Sequence, residues 1–270
     1  MLMKRKALLV TLLVLLLHLS VKGQEKLVNI VFIGNSITHG ATLAHPKTEA
    51  PPVSAVHWLN RQPGIKSVQF SNQGVNGYTT VDFLPVTATT FPKVTAAADS
   101  FKGQDAILIF SIMLGTNDSA IDGPNGSPLS SAQYRQNLSA IVDRLLFLYP
   151  ACKIVVQRPI WYSPNTCNAS QYLQEGLTRL QSYFPEIPRL VSTYADSHAG
   201  QVWAGDTTAY QYFKAHPKLY TPEKGRYGTF YLHPKKQGAQ KLGILWGKAV
   251  YTALLRAKAL PAIEPKKNSL

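Results

Sequence analysis

The chain has 270 residues, 45% of them hydrophobic and only 16% charged. That is enough for one large core, and no shift in composition divides it, so a single domain is expected. The formal charge of +14 comes from scattered Lys and Arg, with small clusters only at Lys235-Lys236 and Lys266-Lys267. No nucleic-acid motif accompanies it, so it reads as a solvated surface and partnership with nucleic acid is not expected.

In chain order, residues 1–23 come first. Cationic "MLMKRK" precedes apolar "ALLVTLLVLLLHLS", and "VKG" places small residues at −3 and −1 of a cut before Gln24. These are the three parts of a secretory signal, with an apolar run short for a membrane span. The expectation is a secreted or periplasmic chain of residues 24–270, without stable membrane insertion after cleavage; an uncleaved anchor is the alternative. No Cys follows the apolar run, against a lipid anchor. Loss of Lys4, Arg5, Lys6 and Lys22 lowers the charge to about +10.

Five apolar runs of strand length follow: 27–33, 67–72, 106–114, 153–159 and 201–205. Between them lie helical patterns. "PPVSAVHWLNRQ" has prolines tolerated in a first turn, "SAQYRQNLSAIVDRLLFLY" has apolar residues at helical spacing, and "NASQYLQEGLTRLQSYF" follows an Asn cap. "PKKQGAQKLGILWGKAVYTALLRAKA" is a last amphipathic helix. Strands alternating with helices predict a parallel sheet covered on both faces, with ligands at the carboxyl ends of its strands. Cys152 opens the fourth run and Cys167 lies past its far end, a separation that argues for two unpaired thiols.

The candidate chemistry falls at those ends. Ser36 follows the first run in "GNSITHG", yet Thr38 breaks G-x-S-x-G and His39 breaks S-x-x-K. Alone it is weak evidence, since a serine in a turn is more often a backbone hydrogen-bonding partner than a nucleophile. The second run ends in "SNQGVNGYTT", where glycines allow close approach of backbone amides to a ligand, or simply a turn. The third ends in "LGTNDS", where Asn117 offers an amide donor, or Asn-Asp-Ser is simply a capping turn with Asp118 tying down the loop. His233 precedes the last helix in "GTFYLHPKK". No H-E-x-x-H or clustered His/Cys pattern is present, so neither metal nor cofactor is expected.

Together these segments resemble the SGNH (GDSL) hydrolase family from about residue 27 to 255. The four blocks stand in order, with Ser36 in "GNSIT", Gly77 in "NQGVNGYTT", Asn117 in "GTND" and His233 in "LHP"; "YRQNL" at 134–138 adds to the match. The resemblance implies a three-layer α/β/α sandwich with a five-stranded parallel sheet of flavodoxin-like type. It also implies Ser36 as nucleophile, His233 as general base, and an oxyanion hole of the Ser36 amide, the Gly77 amide and the Asn117 side chain.

Two departures stand out. Asn35 replaces the acid usual before the serine, and Phe230 stands where D-x-x-H would put the triad acid. Something must accept the second imidazole N–H. A backbone carbonyl is slightly favoured over Asp206, itself an equally good helix cap; Glu223 and Asp196 have no pattern behind them.

The wording "FIGNSITHG", "MLGTNDS" and "GTFYLHP" is most similar to carbohydrate O-acetylesterases of the family, including sialate O-acetylesterase-like members of glycan-degrading bacteria. An acetylated carbohydrate, either a sialic acid or a plant or host glycan, is therefore the expected substrate, with Tyr78, Trp161, Tyr162, Trp203, Phe230 and Tyr231 either near it or in the core. A lysophospholipase or thioesterase would use the same groups. A catalytically impaired glycan-binding protein would explain the missing acid.

Overall fold

A computed structural model describes residues 24–261. The expected signal segment and the Lys266-Lys267 cluster lie outside the described residues. The five expected strands are β1 (Lys26–Gly34), β2 (Ile65–Gly74), β3 (Ala106–Met113), β4 (Lys153–Val156) and β5 (Val202–Ala204). They form one all-parallel sheet in the order β2-β1-β3-β4-β5. The last seven residues of β1, Val28–Gly34, are buried without alternation, as a strand covered on both faces requires.

The helices are α1 (Ser36–His39), α2 (Pro46–Glu49), α3 (Pro51–Leu59), α4 (Thr90–Asp99), α5 (Ser131–Leu148), α6 (Leu173–Ser182), α7 (Glu186–Ser192), α8 (Ala209–Ala215) and α9 (Lys236–Arg256). Chain direction across the sheet reverses after β2, so right-handed crossovers put α3 on one face and α4 and α5 on the other. Helix α9 returns to pack on α3, and its Trp246 stacks on Phe32 of β1 at 6.3 Å. The result is the expected three-layer α/β/α sandwich. No described helix is long and apolar enough to cross a membrane.

Three differences from the sequence reading bear on the site. The fourth strand stops at Val156, and Gln157 turns its side chain to Ser111 and to the Asp206 amide. The helix expected after an Asn cap begins only at Leu173. Residues 168–172 are held as loop instead, because Gln171 bridges to Asp122 and Cys167. Most consequential is an antiparallel hairpin, β6 (Tyr220–Gly225) and β7 (Gly228–Pro234), between α8 and α9. Cys152 and Cys167 are buried and unpaired, and burial pushes the Cys152 thiol up to about 12.

Candidate active site

The sheet register brings three loops to one level. Gly34 pairs with Gly74 on one side and Met113 on the other; Ser36, Gly77 and Asn117 each follow within a few residues. Gly34 has to be glycine. A Cβ there would lie 2.0 Å from Thr38 Oγ1 and 2.8 Å from the Met113 carbonyl. Its absence lets the chain turn at once from β1 into α1, where the Asn35 side chain accepts from the Ile37 amide at 3.0 Å. Asn35 thus caps the turn that presents Ser36, a task that needs an acceptor and no charge.

The second loop carries Gly77 at φ +78°, a left-handed conformation that glycine adopts freely. Asn117 is locked against it. Its Nδ2 donates to the Tyr78 carbonyl at 2.8 Å, and its Oδ1 accepts from the Tyr172 hydroxyl at 2.6 Å. With the carbonyl end fixed by a donor, the amide cannot flip, and one Nδ2 hydrogen is left for the cleft. Asp118 fastens the same two loops: its Oδ1 accepts from the Thr80 amide at 2.8 Å and from the Thr80 hydroxyl. Complete burial raises its carboxyl to about 6. Asn137, from the "YRQNL" segment, donates to the Thr80 hydroxyl at 2.9 Å.

The hairpin brings the last block, 197 positions from the serine, to the site. The Ser36 hydroxyl lies 2.9 Å from His233 Nε2. On the ring's other side, Nδ1–H donates to Glu223 Oε1 at 2.9 Å, and the His233 amide donates to the same oxygen at 3.3 Å. A carboxylate beside Nδ1 fixes the tautomer, leaving Nε2 free to accept from Ser36.

The partner of His233 is therefore Glu223, neither a backbone carbonyl nor Asp206. Asp206 bonds the Ala209 amide and Thr208 hydroxyl, both at 2.7 Å, at the start of α8. Glu223 and Phe230 are cross-strand partners in the hairpin. The carboxylate looked for at 230 reaches the imidazole from the opposite strand, and Phe230 becomes cleft wall. A signal was present: "YTPEKGRYGTFYLHP" is two strand-like runs around a Gly-x-x-Gly turn, which would have aligned 223 with 230.

Ser36, Gly77, Asn117, Glu223 and His233 line one cleft of about 220 Å³. Ser36 is 8% exposed, and the His233 and Glu223 side chains are 15% and 21% exposed, so the group is shielded yet reachable. The far wall is the loop of Thr166, Asn168, Ala169 and Ser170, with Tyr172 and Phe230 at its foot. Of the six aromatic residues named from sequence, only Phe230 lines the cleft. Trp161 and Tyr162 are core, and Tyr78, Trp203 and Tyr231 pack against the core. Tyr172 was not foreseen. Among the described residues no group of three or more His, Cys, Asp or Glu side chains is placed to hold a metal ion.

A parallel five-stranded sheet with this side-chain chain at its carboxyl edge is the SGNH-hydrolase type of α/β fold. The chain belongs to the GDSL-like lipase/acylhydrolase family, whose model matches residues 32–241. No curated protein matches it in sequence. Among solved structures, it is similar to a carbohydrate acetylesterase from Sinorhizobium meliloti, with 17% identity, 83% of this chain and 99% of that one covered, and a TM-score of 0.56. A carbohydrate esterase family 3 structure from Talaromyces cellulolyticus gives 14% identity, 86% and 99% coverage and a TM-score of 0.58. An aryl esterase from M. smegmatis gives 15%, 84%, 100% and 0.55. At these identities the likeness is one of fold.

Proposed function

We propose that the protein is a serine esterase that removes O-acetyl groups from carbohydrates. The observation that carries this is the unbroken sequence of hydrogen bonds from Ser36 through His233 to Glu223 beside Gly77 and Asn117. In the mechanism we infer, His233 Nε2 takes the Ser36 proton as Oγ attacks the ester carbonyl. The developing oxyanion is held by the Ser36 amide, a first-turn N–H with no intrahelical partner, together with the Gly77 amide and Asn117 Nδ2. The imidazolium, stabilised by Glu223, then protonates the departing sugar oxygen as the C–O bond breaks, and His233 next takes a proton from a water that attacks the acyl group and releases acetate and free Ser36.

Two observations support a short acyl group. The cleft volume is below the roughly 300–1,000 Å³ of sites that engulf drug-sized ligands, and Phe230, Leu232 and Tyr172 are packed in its wall. The carbohydrate acetylesterase and the carbohydrate esterase of the same fold support the sugar moiety. The sequence of residues 1–23 is the basis for proposing that the enzyme works outside the cytoplasm. With Glu223 in place, the argument for a non-catalytic glycan-binding protein loses its missing acid.

The test is acetate release from acetylated xylan, acetylated sialic acids and small acetyl esters, beside a series of longer acyl chains. Acetyl esters should be turned over best, and Ser36→Ala should lower kcat by at least about 10⁴-fold. Preference for long acyl chains would point to a lysophospholipase or thioesterase, and wild type without hydrolysis would return the binding-protein reading.

A further inference from the structure

We propose that the sugar deacetylated in this cleft is uncharged, so that neutral acetylated sugars are accepted and acidic ones, sialic acids included, are disfavoured. This rests on the acetylesterase reading and narrows it. The carboxyl and imidazole groups of the lining are those of Glu223 and His233, already bonded to each other. A carboxylate carried in on the sugar would face the negative Glu223, and no Lys or Arg is among the described lining residues. An anion taken out of water without a cation is penalised, and sites built for carboxylates supply Arg or Lys.

Of the cations near in sequence, Lys235 is exposed and outside the lining, and three others are engaged elsewhere. Lys236 pairs with Glu49 at 2.8 Å, Arg226 lies over the Tyr227 ring, and Arg179 pairs with Glu175 at 2.7 Å. Lys224, next to Glu223 on β6, leaves by the opposite face of the strand. What the cleft does offer is neutral. Asn76 and Asn168 are exposed at its rim, and among the described residues neither side chain takes part in a hydrogen bond within the protein. Each amide can donate to one sugar hydroxyl and accept from another. The positive charge of the chain therefore lies outside the place where the substrate is read.

The discriminating experiment uses the purified full chain with two substrates alike except for charge, 1,2,3,4-tetra-O-acetylglucuronic acid and its methyl ester, followed by acetate release. The methyl ester should show kcat/KM at least tenfold higher. Asn168→Lys should narrow that ratio at least fivefold by supplying the absent cation. Acetate released equally fast from both, or faster from the acid, overturns the inference and leaves the esterase reading intact. If neither substrate yields acetate, acetylated xylan and small acetyl esters decide that reading, and binding of methyl glucuronate against glucuronate to Ser36→Ala, followed by NMR, decides the inference alone. Preference for the neutral sugar supports it, and equal or reversed preference overturns it.

Discussion

The two halves of the candidate site are built differently. Ser36, Gly77 and Asn117 stand on loops that leave neighbouring parallel strands, and their mutual positions follow from the sheet register. His233 and Glu223 stand on an antiparallel hairpin outside the sheet, and their contact depends on the pairing of β6 with β7. A sheet tolerates change in its loops while keeping strand ends level. A hairpin offers two facing positions for one side-chain task, so the acid can cross from one strand to the other without leaving the imidazole.

That contrast is open to attack first at the hairpin. Glu223→Gln keeps shape and loses the charge that stabilises the imidazolium; kcat should drop by about 10²- to 10⁴-fold in steady-state assays. An Asp206→Asn variant with the same loss would remove Glu223 from its special place. On the sheet side, Asn117→Ala should cost about 2.7–4 kcal/mol of transition-state stabilisation, read as a loss of about 10²–10³ in kcat with little change in KM.

Asp118 tests how the sheet-end loops are tied together. Its folded carboxyl, at about 6, is above the ordinary aspartate value of 3.8 because burial disfavours its charge. Between those values the folded chain holds a proton that the unfolded chain has released. This group's contribution to stability is therefore fully present below pH about 4 and is lost as pH rises to about 6, by up to about 3 kcal/mol. Urea titrations should show Asp118→Asn flattening that part of the stability profile; an unchanged profile refutes the assignment. The smallest effect is expected at Tyr172→Phe, which leaves Asn117 Oδ1 without its donor. A cost of about 1–2 kcal/mol gives a roughly 5- to 30-fold decrease in kcat. KM and the thermal midpoint should change little if Tyr172 acts by orienting the amide.

The sheet and its four blocks were legible because each rests on local pattern: apolar runs of strand length, glycines at sharp turns, a histidine next to a helix start. Glu223 was not, because its role comes from a cross-strand partnership and no motif marks it. Residues 168–172 misled for a related reason. Their polar composition suits a helix start, but Gln171 is held by Asp122 and Cys167, distant in the chain, and Tyr172 is drawn in toward Asn117. Asp118 ties down its loop through Thr80, as the turn reading of Asn-Asp-Ser, the alternative to a donor at Asn117, would have it.

The hairpin is fastened along one edge to the segment that begins the far wall of the cleft. The Asn165 side chain donates to the Thr229 carbonyl at 2.6 Å, Ser163 bonds Tyr231 through both its amide and its hydroxyl, and the Arg226 amide donates to the Cys167 carbonyl. The groups that move protons and the loop that meets the sugar thus share a mounting. Directed evolution of new sugar preferences through residues 164–170 would, in the same step, shift the pH–rate profile, and libraries screened at a single pH would discard variants whose specificity had changed as intended.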